Sequence, residues 1–319
     1  MPVPEGSAKN PPRERVALFG DALTEIVVRV VELWPEHEDF LTTRFDEDTF
    51  DQLRFCASLA RLVRQLAGDD LDGTITDYRW MCETFLGEEE FFRRHGRYRH
   101  ATFAEVADAG YLTGSYMAAY MRGLLLSQLL WTNHTRVMEV FASEFLRRRG
   151  GRGRLLEVGP GHGLLLALAA QHRIPELHGW DISEVSVEFT RRSLAALGHR
   201  DGIGLARHDI TQPRQEAPFD LVVASELLEH VERPDVILRS LCRLTAPDGR
   251  IFLNVPINSP APDHIYLWRT PEEFFAFTAE CGVTALRTYT FPLTGYSEER
   301  ARRSGYTLSC VVVGRPHDG

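Results

Sequence analysis

Two carboxylates and two imidazoles in this chain have types and spacing that could do chemistry. Glu226, Glu229 and His230 stand at i, i+3 and i+4, which puts them on one face wherever that stretch is helical. His264 comes later, in Asn258-Ser-Pro-Ala-Pro-Asp-His264-Ile-Tyr266. Histidine ionises near neutral pH, so either imidazole can take a proton from an acceptor, and either can equally make a structural hydrogen bond in a loop. Together the four side chains also suit a hard or borderline divalent ion. A second set consists of acids that close apolar runs. Glu157 lies in Leu155-Leu-Glu-Val-Gly-Pro-Gly-His-Gly163, Asp181 in His178-Gly-Trp-Asp-Ile182, and Asp209 in Gly204-Leu-Ala-Arg-His-Asp-Ile210. Gly159, Gly161 and Gly163 make a turn through which backbone can approach a ligand closely. A carboxylate placed like Asp181, one strand beyond such a turn, can accept hydrogen bonds from both hydroxyls of a ribose.

These residues need strands that deliver them to one edge. The run through Val158 reads as a buried strand, followed by the glycine turn and a helix from Leu164 to Ala170. Further strands are expected at His178–Ile182, Gly204–Ile210, Phe219–Ala224 and Ile251–Val255, the last after the turn Pro247-Asp-Gly249-Arg250. Ligands of open α/β sheets bind beyond the carboxyl ends of such strands. Residues 15 to about 68 instead carry apolar stripes at helical spacing, ended once by Pro35. Gly87 to Glu90 reads as a helix start, with acids in the first turn. Gly110 to Leu146 reads as one or two helices, and Arg147–Gly151 as a helix end and hinge. The chain therefore divides into a tail at 1–14, a helical cap or substrate domain at 15–149, and an α/β domain at 150–319.

The series Glu157-Val-Gly-Pro-Gly-His-Gly163, Asp181, Asp209, Glu226-x-x-Glu229-His230 and Pro247-x-Gly249 resembles the class I S-adenosylmethionine-dependent methyltransferases, over roughly the C-terminal half. The glycine spacing and Glu157 argue against a dehydrogenase-type dinucleotide fold. The resemblance implies a Rossmann-like, seven-stranded sheet whose last strand is antiparallel, from candidates Val283–Thr290 and Tyr306–Val313. It implies that the glycine turn underlies the methionine part of S-adenosyl-L-methionine, that Glu157 organises the loop, and that Asp181 holds the ribose with Ile182 against the adenine. Asp209 and Ile210 would meet the adenine amino group, and Glu226 would orient the cofactor. It makes His230, His264 and Glu229 the expected catalytic groups. Glu226, Glu229, His230 and His264 also look like the metal site of small-RNA 2′-O-methyltransferases and of some ubiquinone-pathway O-methyltransferases. The Asp263-to-Phe274 stretch resembles theirs too.

The helix before the first strand often lids the cofactor in this superfamily. Tyr116 and Tyr120 share one of its faces and are expected at the cofactor, and Tyr111, Gln128, Trp131, Asn133 and His134 mark the same region. Arg93, Arg94, Arg97 and Arg99 read as a solvated helix end, or as a holder for an acidic substrate or a carrier protein's phosphopantetheine arm. The net charge of −9 gives no basic field for a nucleic-acid backbone. The five cysteines are scattered, and the longest apolar run, Gly123 to Trp131, is too short for a bilayer. The expectation is a cytoplasmic small-molecule methyltransferase in secondary metabolism. The methylated atom stays open between O, N and C, with C-methylation of a 2-oxo acid among the choices, and a homodimer is compatible. RNA 2′-O-methylation and a non-catalytic cofactor-binding partner protein are the alternatives.

Overall fold

The computed structural model describes residues 11–111, 113–147, 153–213 and 216–317. Seven strands form one sheet: β1 (Arg154–Val158), β2 (Glu176–Asp181), β3 (Ile203–Arg207), β4 (Phe219–Ser225), β5 (Thr245–Ile257), β6 (Val283–Pro292) and β7 (Leu308–Pro316). Their order is β3-β2-β1-β4-β5-β7-β6. β1 to β5 run parallel, and β7 lies antiparallel between β5 and β6. The order reverses between β1 and β4, which opens a crevice at their carboxyl ends. The central strands β1, β4 and β7 are rich in Val and Leu and buried along most of their length, as strands covered on both faces require. The expected turn at Pro247–Arg250 is instead a kink inside the longer β5, where the register with β4 shifts. A Cβ at Gly249 would lie 2.8 Å from the Ala246 carbonyl oxygen, so only glycine fits.

The N-terminal helices do not have a core of their own. Leu23, Leu59 and Leu126 belong to the same buried cluster as Leu155, Val223, Phe252 and Val311 on one sheet face. Phe141 and Phe145, at the end of the last helix before β1, pack their rings 5.2 and 5.4 Å from Phe252. The opposite face has a separate cluster built on Leu156, Trp180, Val222, Leu253 and Trp268. A buried ionic knot also holds the helices. Arg44 pairs with Asp48 at 2.6 Å and donates to Thr135 Oγ1, while Arg136 reaches the same Asp48 at 2.5 Å. Removing one partner of such a pair costs about 3–5 kcal/mol, because the other charge is left buried.

Two expectations about the helices need correction. Residues 12–14, placed in the tail, belong to a short helix, Pro12–Val16; residues 1–10 and the hinge at 148–151 lie outside the described residues. Gly87 starts no helix, since one helix runs from Leu71 to His95. The acids there serve side-chain pairs: Glu89 with Arg93 and Glu90 with Arg94, each at i, i+4.

Candidate active site

The donor side is the turn after β1. Gly159, Gly161 and Gly163 all have φ between +50° and +73°, a region that favours glycine. Added Cβ atoms at Gly159 and Gly161 would meet Leu227 and Met121 at 3.1 Å, so the turn is walled by the loop after β4 and by the helix Gly114–Leu130. Thr190 Oγ1 donates to the Gly161 carbonyl at 2.7 Å and fixes the turn's shape. Glu157 is buried at the end of β1. Its carboxylate takes a hydrogen bond from the Leu166 backbone, while Oε2 has no partner among the described residues. Burial drives its pKa well above the usual carboxylate range. Asp181 ends β2 and accepts from the Ser183 N–H at 2.8 Å, and burial raises its pKa. Ile182 beside it is 62% exposed, an apolar ledge next to a carboxylate. Asp209 spends Oδ1 on a turn, accepting from both the N–H and the hydroxyl of Thr211, and these bonds lower its pKa. Ile210 is buried in the core.

The acceptor side lies at the ends of β4 and β5. Glu226 follows β4 with φ +52° and is not helical, so the expected i, i+3, i+4 face does not exist. Only Leu228–His230 makes a short 3₁₀ turn. Glu226 accepts from Asn254 Nδ2 at 2.7 Å; burial nonetheless pushes its pKa up to about 7. Glu229 is fully buried, and neither of its oxygens has a hydrogen-bond partner among the described residues. Burial, with Glu226 and Asp263 nearby, raises its pKa well above normal. His230 Nδ1 lies 3.0 Å from the Asp263 carbonyl, and His264 Nδ1 lies 2.6 Å from the Ser259 carbonyl. A carbonyl can only accept, so both Nδ1 atoms carry the proton and both Nε2 atoms keep a lone pair. The two rings stand edge-on at 4.9 Å, and His230 Nε2 is 3.7 Å from Glu229 Oε1. Burial lowers the His264 pKa to about 4, which keeps it neutral at ordinary pH. Ligand atoms of Glu229, His230 and His264 all lie within 4.8 Å of one another. Glu226, the fourth member of the expected metal set, is outside that group.

Residues 130–281 match the profile of a family described as a methyltransferase domain. Two curated relatives are ubiquinone biosynthesis O-methyltransferases. That of Neisseria meningitidis is 32% identical over 126 residues, 39% of this chain and 52% of the relative. That of Pseudomonas paraeruginosa is 35% identical over 110 residues, 33% of this chain and 45% of the relative. The matched residues and the seven-stranded sheet together support a class I methyltransferase fold for the C-terminal half of this chain. The chain spans about half the length of the first of these relatives. Among solved structures, the N-methyltransferase NodS of Bradyrhizobium japonicum, in complex with S-adenosyl-L-homocysteine, superposes with a TM-score of 0.45 at 17% identity. That match covers 58% of this chain and 87% of NodS, a likeness too slight to bear on chemistry.

The residues around the turn fit S-adenosylmethionine on their own features. The glycine turn would be filled by any added Cβ, Glu157 keeps an unpartnered oxygen beside it, and Asp181 with Ile182 offers a carboxylate next to an exposed apolar side chain. The helix bearing Tyr116 and Tyr120 lies against the turn through Met121. The tyrosines themselves face the acceptor side, where Tyr120 Oη donates to Asp263 Oδ1 at 3.0 Å. Trp131, Asn133 and His134 do not join a pocket. Trp131 Nε1 donates to Tyr78 Oη, Asn133 Nδ2 donates to Ser309 Oγ, and His134 pairs with Ser127 Oγ, so they tie helices to one another and to β7. The arginine cluster is committed as well: Arg93 to Glu89, Arg94 to Glu90, Arg99 to Glu88, and Arg97 to the carbonyls of Tyr98 and Arg99. Sequence reasoning did not single out Asn254, Asp263, Tyr98 or His100. Asp263 sits next to His264 and could have been flagged by that adjacency. Tyr98, whose hydroxyl accepts the Ser259 N–H at 3.0 Å, had no local signal. Among the described residues no helix is long and apolar enough to cross a membrane.

Proposed function

We propose that this protein is an S-adenosylmethionine-dependent methyltransferase that methylates a hydroxyl oxygen of a small molecule. The observation that carries this reading is the pair of imidazoles with free Nε2 atoms beside the buried Glu229, which has no hydrogen-bond partner among the described residues; the loop after β4 that bears His230 also walls the glycine turn through Leu227. Bound at that turn, S-adenosylmethionine supplies an electrophilic methyl group on a sulfonium sulfur. The chain's own residues then hold and deprotonate. Asp181 accepts hydrogen bonds from the donor's sugar hydroxyls. His230 Nε2 takes the proton of the acceptor hydroxyl, and the buried Glu229 carboxyl group, 3.7 Å away, faces the imidazolium so formed. His264, kept neutral by burial, accepts a hydrogen bond from the acceptor and orients it. With its proton on His230, the acceptor oxygen would be held by His230 and His264 as the nucleophile toward the methyl group that the donor would supply.

Relatives named for O-methylation support oxygen over nitrogen or carbon. The net charge of −9 and the ion-paired arginines support a small acceptor over RNA. Biosynthesis of a secondary metabolite in the cytoplasm is part of the same reading. One observation favours a second form of it: three ligand-type atoms lie within 4.8 Å, one from a carboxylate with no other partner. Glu229, His230 and His264 would hold a divalent ion there, which supplies a Lewis acid for vicinal acceptor oxygens. The test is incubation of purified protein with donor and a panel of hydroxylated arenes, with and without a chelator. Mass spectrometry showing a donor-dependent single methyl gain supports the proposal; no product across oxygen acceptors, with methylated amines instead, contradicts it.

A further inference from the structure

The roof over the imidazole pair comes from residues 98–120, outside the stretch matched by the methyltransferase profile. Two polar atoms in that roof are buried without a hydrogen-bond partner among the described residues: Nε2 of His100 and Oη of Tyr116. The Tyr111 ring stands between them, 5.7 Å from His100 and 5.0 Å from Tyr116. Trp80 presents its edge to Tyr116 at 4.9 Å. The Tyr120 ring follows, near-parallel to Tyr116 at 6.0 Å, with its hydroxyl on Asp263, the neighbour of His264. A series of rings thus leads from His100 to the imidazoles. A buried hydroxyl left unsatisfied costs about 1–3 kcal/mol, which is tolerated where a ligand completes its bond. Three carboxyl groups, those of Glu226, Glu229 and Asp263, lie at the inner end, and Arg269 is near Tyr98 there. Glu88, near Tyr116, is already paired with Arg99 at 2.8 Å.

We propose that His100 and Tyr116 bind the acceptor at the end remote from the methylated oxygen, and that the acceptor is an uncharged planar ring lying along Tyr111 and Tyr116. This rests on the proposed function and adds to it the residues that choose the substrate. The ring faces supply stacking, Tyr116 Oη donates to a polar edge, and His100 Nε2 completes a second bond. An anionic ring would bring a further charge into a buried site that already holds three carboxyl groups and is disfavoured there.

The test is calorimetry on full-length protein saturated with S-adenosylhomocysteine, using catechol and 3,4-dihydroxybenzoate as probes. The wild type is expected to bind catechol, and the anionic probe at least about tenfold more weakly. Tyr116→Phe and His100→Ala should each weaken catechol about tenfold, the value of one lost hydrogen bond. Both variants should keep their affinity for S-adenosylhomocysteine, and unliganded Tyr116→Phe should melt no lower than wild type, since its hydroxyl lacks a partner. Catechol binding unchanged in both variants, no catechol binding by the wild type, or equal binding of the two probes would each overturn the inference. A lower melting point for Tyr116→Phe would also overturn it, by showing a structural role. Failure of the wild type to bind S-adenosylhomocysteine at all would remove the proposed function itself.

Discussion

On the donor side, each acid finds its partner close in sequence: Asp181 with Ser183, Asp209 with Thr211, Glu157 with the Leu166 backbone. On the acceptor side, the groups come from distant stretches. Tyr98, Tyr116 and Tyr120 arrive from the N-terminal helices, Glu226 to His230 from the end of β4, and Asp263 with His264 from the loop after β5. The donor side is therefore a local construction that a short motif can specify. The acceptor side exists only when the helical part folds against the sheet, and it concentrates orphaned polar atoms on Glu229, Tyr116 and His100.

The largest effect that would break this comparison is expected at Glu229. Glu229→Gln keeps the shape but removes the ionisable carboxyl group that faces His230, and should lower turnover roughly a thousandfold with donor affinity nearly unchanged. Equal loss of donor binding, measured by calorimetry, would show that the two sides are not separable. Gly161→Ala is the reciprocal change. It places a Cβ at φ +50° and 3.1 Å from Met121, which should cost about 1–2 kcal/mol of strain and weaken donor binding. Chemical denaturation and donor titration check it; an unaffected donor affinity would mean the turn is not the binding surface.

Smaller effects appear in pH dependence. Glu229 has a folded pKa well above its unfolded value, so it favours folding at low pH and loses that contribution as pH rises past the unfolded carboxylate range. Glu229→Gln should therefore stabilise the metal-free protein more at pH 8 than at pH 5, by denaturant melts; the opposite trend would mean Glu229 is paired. His264 has the reverse sign. Its pKa near 4 lies below the unfolded value, so its contribution is full above about pH 6.5 and falls as pH drops toward 4. The least effect is expected for Glu157→Gln, which retains an acceptor for Leu166 and replaces a carboxyl group that burial already disfavours ionising. Stability should change by less than about 1 kcal/mol, and a loss of several would mean Oε2 carries an unseen structural bond.

The same division explains what the sequence made legible. The strand–turn–helix unit at Glu157–Gly163 and the acids at Asp181 and Asp209 were readable because their partners lie within a few residues. The strands were readable from apolar runs that burial on both faces requires. The acceptor side was readable only in part. His230 and His264 do converge, but Glu226 turns to Asn254, across the sheet and invisible to local spacing. The helical reading of 226–230 failed because a left-handed residue at Glu226 breaks the periodicity. Trp131, Asn133 and His134 looked like pocket residues because buried polar groups do; their partners Tyr78, Ser309 and Ser127 appear only after folding. The helical part read as a separate domain because its stripes are self-similar, yet those stripes face the sheet and share its core.

The most direct test is titration of S-adenosylhomocysteine into wild-type protein and Asp181→Ala. The account predicts one binding site in the wild type and an affinity about thirtyfold weaker in the variant, as expected for losing a charge-assisted hydrogen bond to the sugar. No binding by folded wild-type protein, or equal affinity in the variant, would contradict it.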